Sequence, residues 1–291
     1  MKNIIILPYY SYEEADRYIR ILDFYKSYCV PFTDSEFLCA NRSFIEPHDG
    51  LIKKAQELAP VKIFSSLSEV NAYPRGPTIF FWEIMEHIRL NSEKDRGFVL
   101  WHESDMIGIR KDWFKKLSVL WNNIPGGVLV MGHYEPPCYC WSDNTYIPRH
   151  INGGACYSKE LSGVVPDSVR KGYFDIEMFS ALKKQEYVKS KCFEYSAVKN
   201  IPALYKKKYI AVLHGIAQSK DTFIENVISY VEHGRLRSGQ AVEHCCQFYV
   251  NAKGVRFCPV HVSGNLEKLI NRFLAFSVYI ITGARKKMRD Q

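Results

Sequence analysis

The sequence predicts an α/β chain: a mostly parallel mixed sheet flanked by helices, with a C-terminal helical extension. Three observations carry this. Short β-branched runs alternate with helix-period segments through the first hundred residues. The apolar run Gly97-Phe98-Val99-Leu100-Trp101 stops abruptly at His102-Glu103-Ser104-Asp105, as a strand does at the edge where open α/β sheets bind ligands. Finally, 291 residues that are 47% hydrophobic and 14% aromatic supply material for a sizeable core.

Asn3 to Leu7 reads as the first strand and ends at Pro8. Ser11 with Glu14 three residues on forms a capping box for a helix running to about Tyr28. Glu36 to Ala40 and Val61 to Phe64 read as strands around a helix over Asp49 to Leu58. Tyr73-Pro74-Arg75-Gly76-Pro77 is a turn whose last proline opens a helix, and Thr78 to Leu90 shows a wide apolar face through Ile79, Trp82, Ile84 and Ile88. That helix leads into the acidic strand end. Lys111 to Trp121 is expected to be helical, Gly127 to Met131 a strand, and His150 to Cys156 another strand. Gly172 to Gln185 is expected to be a helix with Asp175 and Glu177 in its first turn. Tyr209 to Leu213 is a late strand closing on His214-Gly215.

Net charge of +8 and a pI near 8.9 call for an anionic partner, which charge alone does not select. No zinc-finger, helix-turn-helix or aromatic RNA-binding signature accompanies the basic residues, so nucleic acid is not the expected partner. Nine cysteines, an odd number, with a strand at the very start and no secretory signal, point to reduced thiols in a cytosol. His244-Cys245-Cys246 and Cys258-Pro259-Val260-His261 offer zinc ligands at irregular spacing, and buried free cysteines account for them equally well.

Glu103 and Asp105 are spaced i and i+2. In an extended segment that spacing points both side chains the same way, so they can present two hard oxygen ligands together; otherwise they begin a solvated turn. Asn152-Gly153-Gly154 allows a ligand to approach the backbone, as an ordinary bulge also would. Asp175 and Glu177 complement a helix dipole or act as a base. Lys206, Lys207, Lys208 and Lys220 can steer a diphosphate or form a solvated charge run.

Taken in order, acid-x-acid, Asn-Gly-Gly, an acidic helix start and His-Gly resemble the motif succession of nucleotide-sugar-dependent glycosyltransferases with the GT-A (Rossmann-like) fold. The resemblance covers roughly residues 1–235. It implies a catalytic domain over 1–235 and an extension over 236–291 with an amphipathic, membrane-associating helix. It implies transfer of a sugar from a nucleotide-sugar donor to a saccharide or lipid-linked glycan, of the bacterial surface-glycan type, with inversion, or with retention if the same carboxylates only position substrate. The cofactor would be a divalent metal, Mn²⁺ or Mg²⁺, held by Glu103, Asp105 and His214. Mixed imidazole and carboxylate ligation favours Mn²⁺ over Ca²⁺. Pro8, Tyr9, Arg75, Asn152, Gly153 and Gly154 are the donor or substrate candidates, and Asp175, then Glu177, the candidate base. The sequence departs from the usual Asp-x-Asp by placing Glu103 first, which makes Asp105 the firmer ligand. Aromatic residues over Tyr134 to Tyr146 are expected to face the acceptor or to form a packed structural lid.

Two other classes compete. A metal-dependent phosphohydrolase or nucleotidyltransferase also uses strand-end carboxylates, although Pro8-Tyr9-Tyr10-Ser11 lacks a Gly-rich phosphate loop. A non-catalytic membrane-bound scaffold is the third reading. The membrane itself enters through Leu266 to Thr282, apolar and aromatic before Arg285-Lys286-Lys287-Met288-Arg289. Its uncharged part is shorter than the roughly 20 residues a span needs, so it would lie on an anionic, cytoplasmic membrane surface or pack on the core.

Overall fold

A computed structural model describes residues 1–140, 145–215, 219–237, 248–251 and 254–257. The chain divides into two units, Met1–Tyr134 with Ile151–Ala241 and Glu135–His150 with Val242–Gln291. In the first unit, β1 (Asn3–Tyr9) is buried along its whole length, as a strand covered on both faces must be. α1 (Tyr12–Tyr28) starts at Ser11, whose hydroxyl accepts from Glu14 N at 3.3 Å. The Glu14 carboxylate reaches back to Tyr10 N at 2.8 Å, one residue before the usual capping-box position. β2 (Ser35–Asn41), α2 (Asp49–Gln56) and β3 (Val61–Ser65) follow where their periodicity puts them.

α3 (Arg75–Asn91) begins three residues before the expected Thr78, so Pro77 lies inside its first turn rather than opening it. Amide groups of a first turn have no intrahelical partner, so proline there sacrifices nothing. β4 (Phe98–Trp101) ends before the acidic pair, and β5 (Met106–Gly108) follows at once. α4 (Trp113–Asn123) leads to β6 (Val130–Gly132), which starts later than Gly127 because that glycine takes φ +88°, a turn conformation. The chain then passes β7 (Tyr134–Glu135), β8 (Cys138–Cys140), β9 (Thr145–Ile147) and β10 (His150–Ile151).

The single strand expected over His150 to Cys156 is two, β10 and β11 (Cys156–Ser158), because Asn152 Oδ1 accepts from Gly154 N at 3.3 Å and turns the chain between them. α5 (Leu161–Val164) and α6 (Phe174–Ala181) come next, α6 shorter than expected. β12 (Tyr187–Lys189), β13 (Phe193–Ser196) and α7 (Ile201–Tyr205) precede β14 (Val212–Gly215). β14 starts after Tyr209 because Ile210 N bonds Lys207 O at 3.0 Å in a turn, and it carries His214 within the strand. α8 (Lys220–His233) stops at Gly234, whose φ of +70° closes its C-terminus.

The central sheet runs β12-β6-β11-β4-β1-β2-β3. β2 pairs parallel with β1 and β3, β1 with β4, and β12 with β6; β11 alone is antiparallel, between β4 and β6. Alternate residues of β1 feed two cores. Ile5, Leu7 and Tyr9 pack with α1, α2, α4, α7 and α8, while Ile4 and Ile6 pack with α3, α5 and α6. A second sheet, β13-β14-β5, sets β14 antiparallel to β5 with His214 opposite Met106.

In the second unit, β8 pairs antiparallel with β9, and β15 (Phe248–Asn251) with β16 (Gly254–Phe257), a hairpin the sequence reading did not anticipate. The apolar tail over Leu266 to Thr282 and the cluster at His244, Cys245, Cys246, Cys258 and His261 lie outside the described residues. No helix among the described residues is long and apolar enough to cross a membrane.

Candidate active site

The site is built where β4 ends. The backbone of β4 keeps its partners past its last residue, His102 N bonding Ile6 O at 3.1 Å and Trp101 N bonding Ala155 O at 3.0 Å. It then turns, with Met106 N bonding Glu103 O at 3.0 Å. Glu103 and Asp105 therefore converge through a turn rather than through strand alternation.

His102 holds that turn from inside the core. Its Nδ1 lies 3.1 Å from Glu103 O and its Nε2 3.0 Å from Tyr25 Oη. A carbonyl only accepts, so Nδ1 carries the proton and Nε2 accepts from Tyr25. The Tyr25 oxygen in turn accepts from Gly108 N at 2.8 Å, and Tyr18 Oη donates to His102 O at 2.6 Å. Burial pushes the His102 imidazole down to about 4, which keeps it neutral. It is a positioning residue that no motif marked.

β14 delivers His214 to the same turn, with Gly215 N bonding Asp105 O at 3.0 Å. The imidazole Nε2 lies 3.1 Å from Asp105 Oδ1 and 3.2 Å from Glu103 Oε2, and one ligand atom from each of the three falls within 4.8 Å of the others. The side chains of Glu103, Asp105 and His214 are 30, 13 and 9% exposed. Burial opposes a charge on His214, yet the Asp105 and Glu103 carboxylates raise it to about 10. Burial likewise opposes charge on Asp105, but His214 and then Lys220 hold its carboxyl down to about 2. Both carboxylates thus call for one positive charge at Nε2, which a proton or a divalent cation can supply. Two carboxylate oxygens and one imidazole nitrogen can together ligate a divalent metal, and Nδ1 is buried with no hydrogen-bond partner among the described residues.

Gly153 and Gly154 pack directly on this trio. A Cβ at Gly153 would meet Glu103 Oε1 at 2.8 Å and Phe174 Cζ at 2.9 Å; one at Gly154 would meet Met106 Sδ at 2.9 Å and His214 Nδ1 at 3.2 Å. Their hydrogens make room for the ligand side chains. Asn152 turns its own side chain onto the Gly154 amide.

Asp175 opens α6 and accepts from Ile176 N at 3.0 Å. The hydroxyls of Tyr73 and Tyr157 feel the charges of both Asp175 and Glu103, which puts the two carboxylates in one neighbourhood. The Glu177 carboxylate folds instead over Gly172. Arg75 is exposed at the start of α3. Pro8 is buried in β1, with its carbonyl accepting from Tyr18 Oη at 3.1 Å.

Tyr9 needs a correction. Its ring is fully buried and its hydroxyl accepts from His48 N at 3.0 Å, so it is a core residue beneath α2. Tyr10, the residue after β1, packs against the opposite core. Tyr10 packs edge-on to Phe80 at 5.4 Å, and burial first, then Glu103 and Glu14, raise its hydroxyl well above its ordinary value.

Lys220 is the member of the lysine set that reaches the site. Its Nζ lies 3.4 Å from Ser104 Oγ, 3.6 Å from Glu14 Oε1 and 3.8 Å from Asp105 Oδ1. Lys206, Lys207 and Lys208 are exposed before β14. Of the aromatic stretch from Tyr134 to Tyr146, Tyr134 stacks under Lys189, whose Nζ is 3.3 Å from the ring centre; the side chains beyond Pro137 lie outside the described residues.

No protein-family profile and no curated sequence matches the chain. Solved structures do. The galactosyltransferase LgtC, solved with donor and acceptor sugar analogs, aligns over 81% of this chain and 98% of its own at TM-score 0.50 and 11% identity. Mouse xyloside xylosyltransferase 1 in its apo form aligns over 74% and 97% at 0.46 and 8% identity. A glycosyltransferase involved in glycosylation of the major capsid of PBCV-1 aligns over 77% and 98% at 0.45 and 16% identity. At these identities the likeness speaks for architecture alone, and on that ground the chain has the GT-A fold seen in glycosyltransferases.

Proposed function

We propose that the chain is a metal-assisted glycosyltransferase that moves a sugar from a nucleotide-sugar donor to a saccharide or lipid-linked glycan acceptor. One observation supports the reading: on a GT-A scaffold, Glu103, Asp105 and His214 gather at the carboxyl end of β4 with one ligand atom from each within 4.8 Å of the others. LgtC, of the same fold, was solved with donor and acceptor sugar analogs, which fits a donor and an acceptor here. A phosphohydrolase or nucleotidyltransferase draws no comparable support.

Glu103, Asp105 and His214 would hold Mn²⁺ or Mg²⁺, which supplies Lewis-acid neutralisation of a diphosphate. Lys220, with its ammonium beside Asp105, adds a fixed positive charge for the same leaving group. In the inverting reading, Asp175 accepts the proton of an acceptor hydroxyl. The hydroxyl oxygen forms its bond to the anomeric carbon as the bond from that carbon to the phosphate oxygen breaks, and the nucleoside diphosphate leaves with the electron pair. Gly153 and Gly154 leave the Glu103 and His214 side chains the room they need to act as ligands. The tail over Leu266 to Thr282 would hold the enzyme on an anionic cytoplasmic membrane surface, beside a lipid-linked acceptor.

The test is a panel of nucleotide sugars followed by thermal shift and hydrolysis, with and without Mn²⁺, on wild type and Asp105→Ala. Metal-dependent stabilisation by one donor, lost in the variant, supports the reading. Silence toward every donor with and without metal sinks it.

A further inference from the structure

We propose that Tyr73 and Tyr173 form a stacking platform for the saccharide acceptor, on the rim of the candidate active site. This rests on the glycosyltransferase reading and adds to it the surface that recognises the second substrate. Tyr73, in the segment between β3 and α3, is 75% exposed, and Tyr173, immediately before α6, is 42% exposed. Their rings stand 5.5 Å apart at 74°, an edge-to-face pair.

The foundations below the pair are fixed. Thr78 Oγ1 donates to Gly172 O, and Phe81 stacks on Phe174 at 4.1 Å between centroids, so the starts of α3 and α6 are tied together. Two large aromatic faces are therefore held in water by a rigid base, where burial gives no reason for them. The hydroxyl of Tyr73 also lies in the field of Asp175 and Glu103.

The occupant this chemistry fits has a flat C–H face for the rings and hydroxyls at its edge for the carboxylates, which describes a pyranose. A nucleobase also has a flat face, but the diphosphate it carries is drawn to the Lys220 ammonium, which lies beside Asp105, whereas the charges Tyr73 feels are those of Asp175 and Glu103. The Tyr73–Tyr173 pair consequently belongs to the acceptor, and the donor's diphosphate to the Lys220 side of the trio.

The experiment compares wild type with Tyr73→Ala, Tyr73→Phe and Tyr173→Ala. Saturation-transfer NMR reads binding of lactose, maltose, cellobiose and methyl N-acetylglucosaminide. Calorimetry reads binding of UDP and GDP with Mn²⁺, and donor hydrolysis is recorded on wild type. Saccharide binding by wild type should weaken about five- to tenfold in the alanine variants, the cost of one stacking contact, and survive in Tyr73→Phe, with nucleotide Kd held within about twofold. Wild type that takes nucleotide but none of the saccharides overturns the platform, as do alanine variants that bind saccharide normally. Loss of UDP or GDP affinity instead would make the pair a nucleobase platform. Wild type that neither binds nucleotide nor hydrolyses any donor ends the transferase reading itself, and this inference with it.

Discussion

The two ends of β4 carry acidic residues put to opposite uses. Before the strand, Asp95 is matched group for group: Lys159 Nζ at 2.6 Å, Lys2 N at 2.7 Å and Gly97 N at 2.9 Å, with the Lys159 side chain only 4% exposed. After the strand, Glu103 and Asp105 share one imidazole nitrogen, and Glu14 adds a third carboxylate across Lys220. A balanced buried pair closes a fold and leaves nothing for a ligand. Three carboxylates converging on one imidazole and one ammonium, at the edge where open α/β sheets bind ligands, are not matched group for group. The lesson is that acids at strand ends are told apart by whether their partners are used up.

The sharpest way to break the comparison is to neutralise each end in turn. Asp105→Ala should lower sugar transfer by about two orders of magnitude or more, while thermal stability stays close to wild type. An unchanged transfer rate would remove Asp105 from the chemistry. Gly153→Ala forces Glu103 Oε1 or the stacked Phe174 to move, so Mn²⁺ affinity, measured by titration, should fall about 10- to 100-fold. Affinity equal to wild type would mean that the Glu103 carboxylate does not depend on the space Gly153 leaves.

At the other end, Asp95→Asn should cost about 1.5–3 kcal/mol of stability at neutral pH, measured by denaturant unfolding, with transfer retained. Burial raises the Asp95 carboxyl, but Lys159 and the amides of Lys2 and Gly97 hold it below its ordinary value. A depressed folded value contributes stability above the unfolded pKa of about 3.9 and loses it as pH falls through the folded one. The gap between wild type and Asp95→Asn should therefore be flat above about pH 5 and close below about pH 4. A gap that widens in acid contradicts the ion-pair account. Smaller still, Tyr25→Phe leaves Gly108 N and His102 Nε2 without their buried partner and should cost about 1–2 kcal/mol in the same unfolding assay. No measurable cost would mean that His102 does not depend on Tyr25.

Much of this was legible in the chain itself. The apolar runs of β1, β2 and β4 read as buried strands because their side chains face cores on both sides, and local pattern records that. Glu103 and Asp105 stood out because they interrupt such a run, and their proximity needs no fold. The Gly127 turn, the Asn152 turn that divides β10 from β11, and the early start of α3 were blurred, since each depends on backbone geometry over a few residues rather than on hydrophobic period.

Tertiary structure decided the rest. His214 lies 109 residues from Asp105, and only the antiparallel pairing of β14 with β5 makes them neighbours. No local signal separates Tyr9 from Tyr10, yet Tyr9 ends β1 inside one core and Tyr10, one residue on, packs against the other beside Glu103. His102, Tyr25 and Lys220 matter through partners far away in sequence. Sequence by itself determined which segments bury apolar surface and where acids meet a strand end, because those depend on neighbours along the chain. Which acids find a base and which are left to share one depends on contacts across the fold, and periodicity holds no record of those.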